Sequence, residues 1–468
     1  MKMIVNYLMA AISILLMVSC SGKRIVYLIP EPEQPDLSIE KLLSHEAVYG
    51  IIVQDTDADT LLCYHQNKLM LPASTLKLVT AAAAWKFLGP DYLLPTFIGY
   101  DGFTHNNILF GNLIVTGTGD PTLDRRHWLD PQVVFSAWAD SLIAHGISEI
   151  RGDIIGNDNL FDEMNLGNGW AWDDLSFTYA AEFGPLMVDN TTVEFFINPP
   201  DKDDDEFSIM DNLPFEYFTF QNKVTYLDSL PEQIHTRRMT GTNILSVYGN
   251  YSTENKSYAK MITANNPTLF YALLLKAVLE KNGITISGYA RDIDDLNEKP
   301  ENIKPVFTHY SPPLSLVIRQ FLQDSNNQAG EALLRHIAWQ ETGFGSFNNA
   351  IMVMEVFLEN IGVTKKEYRL ADACGLSRYN LLTPSALNKT LLYMNNIPEF
   401  RSCLSQPGSY GTLAERSDLM NMSIFAKTGS MSRIECISGY MTTRRNKDIV
   451  FTVMINKFHW NKICVRYI

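Results

Sequence analysis

The two ends of this chain carry the same local pattern, and that constrains its fold more than any other feature. Residues 48–68, VYGIIVQDTDADTLLCYHQNK, read as strand, polar turn, strand. Residues 437–456, ISGYMTTRRNKDIVFTVMIN, read the same way around the charged turn Arg444-Arg445-Asn446-Lys447-Asp448. Two antiparallel hairpins at opposite ends predict one sheet closed by both termini. The chain between them must then leave that sheet and return to it. Helical patterns lie on the return path: Leu314, Val317, Ile318, Phe321 and Leu322 share one helical face, and Ala332, Leu333, His336 and Ile337 share the next. His336 sits inside an apolar pattern and reads as a satisfied core histidine.

From Thr96 to Lys304 the texture changes to short β-like runs rich in Gly, Asp and Asn: GNLIVTGTGD, IRGDIIGNDNLF, VEFFINPP. This region closes with a helix, NPTLFYALLLKAVLEKNG, and a strand, ITISGYA. A length of 468 residues exceeds what one hydrophobic core normally uses. The expectation is a multi-domain α/β protein. A discontinuous first domain, residues 21–95 and 305–468, is interrupted by one or two inserted domains over 96–304, mainly β with some α. Gly117-Thr118-Gly119 reads as a turn, because Thr122 stands where a nucleotide fingerprint needs its third glycine.

The formal net charge of −14 argues against nucleic acid, whose phosphates would repel it. The acidic run Asp201–Glu206 reads as a solvated loop. The first twenty residues read as a targeting segment: Lys2, an apolar stretch from Ile4 to Val18, then small residues around Cys20. MVSC resembles a bacterial lipobox, which would make Cys20 the lipidated first residue of the mature chain and anchor it to the outer or inner membrane. A plain secretory signal is the alternative, and either predicts export. The other five cysteines are odd in number and scattered, so no disulfide framework is predicted. No CxxC, HExxH or His/Cys cluster points to a metal, and no cofactor is predicted.

The stretch LPASTLKLVTAAAAWKFLGP places Ser74 and Lys77 three residues apart, with Pro72 at a helix start and Gly89-Pro90 as a stop. That spacing puts both side chains on one face. A serine hydroxyl is a weak nucleophile until a base removes its proton. A lysine serves as that base only when neutral, which burial and a second nearby cation both favour. Ser-x-x-Lys recurs at Ser38–Lys41 and Ser257–Lys260, neither at the start of a long apolar helix. Two further motifs sharpen the signal. Ser325-Asn326-Asn327 falls between the two helices above, ahead of a rival Ser346-Phe347-Asn348 that follows the second helix. Lys427-Thr428-Gly429-Ser430 precedes the C-terminal hairpin and reads as an edge strand.

These three motifs in this order resemble the serine penicillin-recognising enzymes. GNLIVTGTGDPTL, IRGDIIGNDNLFD, GWAWDD, ADACGLSRYNLLTP and YGTLAER resemble the D-alanyl-D-alanine carboxypeptidase/endopeptidase family, the low-molecular-mass class C penicillin-binding proteins. The resemblance implies a transpeptidase-like α/β sandwich, an antiparallel sheet flanked by helices, as the discontinuous domain. It implies peptidoglycan stem peptides as substrates and β-lactams as covalent inhibitors. It implies that Ser74 attacks the carbonyl between two D-alanines while Lys77 takes its proton. Ser325 would relay a proton to the leaving amine, Asn327 would bind the substrate amide, and Lys427 would keep the site electropositive. Thr428 and Ser430 would take the terminal carboxylate, the N–H groups of Ser74 and Ser430 would form an oxyanion hole, and Gly429 would let a substrate lie along the strand. Asp174, then Asp173, would hold the stem-peptide amine, with Leu376, Arg378 and Met431 lining that pocket. Trp170 and Trp172 read as core.

Three departures from the family pattern stand out. Ser430 replaces the commoner threonine, Cys374 stands where a small residue is usual, and the sequence given lacks the family's long C-terminal helix after the last strand. Loss of that helix predicts bare apolar sheet, at about 25 cal/mol per Å². A β-lactamase or esterase using the same serine and lysine is an alternative, although Tyr248-Gly249-Asn250 and Tyr393-Met394-Asn395 do not lie between the paired helices. A non-catalytic, envelope-anchored penicillin sensor is another.

Overall fold

The computed structural model describes residues 47–128, 130–199, 207–226, 232–251 and 257–457. Cys20, the acidic run at 201–206 and the final stretch 458–468 lie outside them. In chain order, the elements that position the site begin with β1 (Val48–Asp55), β2 (Thr60–Tyr64), α1 (Lys77–Leu88), β3 (Pro95–Tyr100), β4 (Leu113–Thr116), β5 (Ile154–Asn157), β6 (Ala290–Asp292) and β7 (Lys304–Tyr310). They continue with α2 (Leu314–Asp324), α3 (Asn327–Thr342), α4 (Phe347–Asn360), α5 (Pro384–Met394), β8 (Ser423–Met431), β9 (Ile434–Thr442) and β10 (Asp448–Asn456).

Both chain ends enter one antiparallel sheet of order β2-β1-β10-β9-β8, with Val48 paired to Asn456 across β1 and β10. The hairpin patterns at the two ends therefore form the sheet they predicted. β10 is buried almost end to end, as a central strand covered on both faces must be. One face packs on the helices, through Leu78, Leu333, Leu391, Tyr440 and Met454. On the other face Ile51 is 2% exposed and Phe451 1%, in a cluster that Leu413 and Leu419 join. The stretch after the last strand, where the sequence lacks the family's long C-terminal helix, lies outside the described residues.

Helix α1 is buried from Lys77 to Trp85. A helix apolar all round belongs inside a protein, and the four alanines Ala81–Ala84 let α2, α3, α4 and α5 approach it. His336 on α3 is fully buried, its Nδ1 against Thr118 O at 2.7 Å and its Nε2 against Tyr92 Oη at 3.0 Å. Burial pushes its pKa down to about 4, so it is a neutral core histidine.

The region between the two halves of the main sheet has cores of its own. β3 and β7, the strands leading into and out of it, pair antiparallel in a five-stranded sheet of order β6-β5-β4-β3-β7. Two three-stranded sheets lie further along the chain, one built on Thr192–Asn198 and the other on Ile244–Tyr251. Among the described residues, no helix is long and apolar enough to cross a membrane.

Candidate active site

Ser74 lies on a 3₁₀ turn, Ala73–Leu76, that runs into α1, rather than in the first α-helical turn that the sequence suggested. Ala73, just before it, holds φ at +46°, a left-handed conformation that costs an alanine energy. Strain of this kind persists only where neighbours enforce it. Gly375 is one enforcer: a Cβ on it would fall 1.9 Å from Ala73 O.

Lys77 is fully buried at the start of α1. Its Nζ lies 2.6 Å from Asn327 Oδ1, 2.7 Å from Cys374 O and 3.0 Å from Ser74 Oγ. A neutral amine has two hydrogens and one lone pair. The two shorter contacts are to pure acceptors and take the hydrogens, which leaves the lone pair facing the Ser74 hydroxyl. Burial holds the Lys77 pKa below the usual lysine range, against the opposing fields of Cys374, Asp372 and Glu331. Lys427 is equally buried, and its Nζ donates to Thr428 O at 2.9 Å. Burial and then the charge of Lys77 push Lys427 well below the usual range, opposed by Asp324. Two buried ammonium groups within reach of each other disfavour double protonation.

Ser325 caps α2 in a left-handed conformation, φ 59° and ψ 36°, and Asn327 opens α3. The turn between the helices therefore presents Asn327 to Lys77, while Asp324 on its other side is felt by Lys427. Asn327 faces two ways, since its Nδ2 donates to Tyr179 O at 2.7 Å.

The edge strand β8, which carries Lys427, Thr428, Gly429 and Ser430, packs against the Ser74 turn. The close approach gives Gly429 a reason the sequence did not: a Cβ there would lie 2.8 Å from Ser74 N and 2.9 Å from Pro72 O. The glycine is required by the turn packed on it, before any substrate is considered. Thr428 Oγ1 donates to Thr412 Oγ1 at 2.8 Å, and Ser430 Oγ donates to Glu435 Oε1 at 2.7 Å. Burial raises the Glu435 carboxyl above the usual range, opposed by the Ser430 hydrogen bond and by Arg416.

The side-pocket residues are less unified. Trp170 Nε1 donates to Asp372 Oδ2 at 3.1 Å, which ties the GWAWDD loop to the ADACGLSRYN loop that carries Leu376 and Arg378. Asp174 Oδ1 accepts from Tyr179 Oη at 2.7 Å. Leu376 is half-buried, Arg378 exposed, and Met431 packs against the helical core. Trp172 is 66% exposed and lies beside Arg237, so the core reading fails for it. Cys374 does not edge the pocket either. Its side chain is fully buried, and its carbonyl does the work at Lys77.

Sequence reasoning missed three supports. Glu331, fully buried on α3, accepts from the N–H groups of Ala373 and Cys374 at 2.7 and 3.1 Å. Asp372 accepts from Gly375 N, Ser377 N and Asn380 Nδ2. Together they fix the loop whose carbonyl holds Lys77. Tyr179 supplies the carbonyl for Asn327 from the inserted region. A glutamate four residues past Asn327, on the same helical face, was the available signal for the first.

A hydroxyl, a buried lysine and an asparagine thus meet within hydrogen-bonding distance, and a second buried lysine, Lys427, feels the charge of the first. The family model for the D-Ala-D-Ala carboxypeptidase 3 (S13) family matches residues 37–463. The chain belongs to the S13 family. The D-alanyl-D-alanine carboxypeptidase of Actinomadura sp. (strain R39) is 27% identical over 454 residues, 93% of this chain and 82% of that protein. The D-alanyl-D-alanine carboxypeptidase DacB of Haemophilus influenzae is 26% identical, over 87% of this chain and 85% of that one. The crystal structure of penicillin binding protein 4 from H. influenzae superposes with a TM-score of 0.79, at 26% identity over 90% of this chain and 93% of that one. The same protein complexed with a novel β-lactam gives 0.74 at 25% identity, over 91% of this chain and 93% of that one.

Proposed function

We propose that this protein is a serine D-Ala-D-Ala carboxypeptidase that acts on peptidoglycan stem peptides through an acyl-enzyme. DD-endopeptidase cleavage of cross-links is the same chemistry with a larger leaving amine. The observation that carries the reading is the buried Lys77 amine, 3.0 Å from Ser74 Oγ and held by two acceptors. In this reading Ser74 Oγ bonds to the carbonyl carbon of the penultimate D-alanine, and its proton passes to Lys77 Nζ. The C–N bond then breaks as Ser325 relays that proton from Lys77 to the departing amine, which leaves Lys77 neutral and Ser325 protonated again. Water hydrolyses the ester and restores Ser74. Lys427 supplies positive potential, and the N–H groups of Ser74 and Ser430 face the developing oxyanion. Asn327 holds Lys77 and offers the substrate amide a partner. Asp174, Leu376, Arg378 and Met431 form the surface for the stem-peptide side chain.

A β-lactam acylates the same serine. Fluorescent penicillin followed by peptide mapping tests this directly: the label is expected on Ser74 and is lost in Ser74→Ala. Label elsewhere, or none on folded protein, overturns the reading. The leader pattern further supports an exported, envelope-facing protein lipidated at Cys20. A Cys20→Ser variant that stays in the membrane fraction would refute the anchor.

A further inference from the structure

Ser430 and Glu435 are register partners across β8 and β9, on either side of the two-residue turn Ser432-Arg433. The Ser430 side chain is exposed on the edge strand β8, yet its hydroxyl donates to Glu435 Oε1, 2.7 Å away. Thr428, the other hydroxyl of the Lys427–Ser430 segment, is committed to Thr412. Arg416, the cation whose field reaches Glu435, is itself paired with Asp418 at 2.7 Å. A ligand carboxylate arriving at Ser430 therefore meets oxygen lone pairs, with a second carboxylate directly behind them. A neutral C-terminal group carries no such charge, and an amide N–H can donate to the Ser430 oxygen as it stands.

We propose that Glu435 is a specificity-determining residue: acting through the Ser430 hydroxyl, it disfavours substrates that end in a free carboxylate relative to those with an uncharged group in that place. It touches no reacting atom, and it rests on reading this cleft as the one that cleaves D-Ala-D-Ala. Amidated or further-extended stem peptides are the substrate class it favours. In Glu435→Gln the negative charge is gone, and the amide Nε2–H₂ can donate to Ser430 Oγ, which frees the Ser430 hydrogen for a substrate carboxylate.

The test compares two ligands on three proteins. Wild type, Glu435→Gln and the double variant Ser430→Ala/Glu435→Gln are assayed with an acyl-D-Ala-D-Ala peptide and with its C-terminal carboxamide. A like-charge contact at a half-exposed site is worth about 1 kcal/mol, so the expected change is a roughly fivefold fall in KM for the carboxylate substrate in Glu435→Gln. The kcat and the carboxamide KM stay as in wild type, and the double variant loses the gain. Equal shifts for both ligands, or a gain that survives without Ser430, overturn the proposal. Benzylpenicillin and its methyl ester provide a second ligand pair read by acylation rate. If wild type processes neither peptide nor penicillin, the functional reading itself fails. If it processes them with an unchanged carboxylate-to-amide ratio in Glu435→Gln, only the role of Glu435 fails.

Discussion

In the proposed mechanism Lys77 has to be uncharged to accept a proton from Ser74, and burial favours that state. Removal from water lowers its pKa. Acylation by penicillin should accordingly fall as pH drops and Lys77 takes up a proton, and hold above that point. Stopped-flow acylation rates across pH read this acid limb. Lys77→Arg places a permanent cation there and should slow acylation by about 10²- to 10⁴-fold at every pH. Gly429 gives a second residue-level test. In Gly429→Ala the new methyl meets Ser74 N at 2.8 Å, so the strand or the turn must shift. The Ser74 N–H is a proposed oxyanion donor, and its displacement should cost about 10²- to 10³-fold in acylation rate. Thermal unfolding of the same variant would distinguish a displaced donor from a lost fold.

The first two turns of helix α3 support Lys77 from two sides. Asn327 at its start holds Lys77, and Glu331 one turn later pins the loop that holds Lys77 from the other side. Burial, then Asp372, raises the Glu331 carboxyl from 4.5 to about 7. Its raised pKa means the folded state prefers the protonated acid. The stabilisation is present below about pH 4.5 and is lost as pH rises through about 7, a change of up to about 3 kcal/mol. Glu331→Gln should flatten the fall in Tm between pH 5 and pH 8, and calorimetry on both proteins reads the difference. The sequence carried α3, the motif turn before it and both hairpins, because each is set by neighbours within a few residues. It did not carry Asp372, Tyr179 or Glu331 as supports, because their partners lie far along the chain. Trp172 misled for a related reason: a tryptophan's apolar area predicts burial, while its cation–π contact with Arg237 leaves it in water. Glu435 was within reach. Extending the last hairpin back to Lys427 across a two-residue turn places 430 opposite 435.

At the scale of the molecule, the inserted region is tied into the cleft through residues 175–182. Arg238 Nη2 meets Glu182 Oε1 at 3.0 Å, and the arginine side chain is 1% exposed. Arg238 also donates to Thr263 Oγ1 and Thr242 O, while Glu182 Oε2 accepts from Asn266 N. Three residues before Glu182, the carbonyl of Tyr179 holds Asn327. Arg238→Ala leaves a buried carboxylate without its partner, at a cost of about 3–5 kcal/mol. The expected outcome is a lower Tm together with slower acylation, although the side-chain hydrogen bonds of Arg238 go to Thr263, Thr242 and Glu182 rather than to a motif residue. The same view puts a clock on activity. β1 sits inside the main sheet, between β2 and β10, and its second neighbour is the last described strand. As the chain is made from its N-terminus, β1 waits with one edge unpaired through all the intervening synthesis. Pairing over such a sequence distance is slow, and an open edge invites wrong partners. The Ser74 turn packs against β8, so on this reading the serine acquires its shape only when the C-terminal strands dock. Until then the nascent chain carries an unshaped Ser74 turn beside an aggregation-prone edge, and its biogenesis has to shield that edge for as long as the last strands are missing.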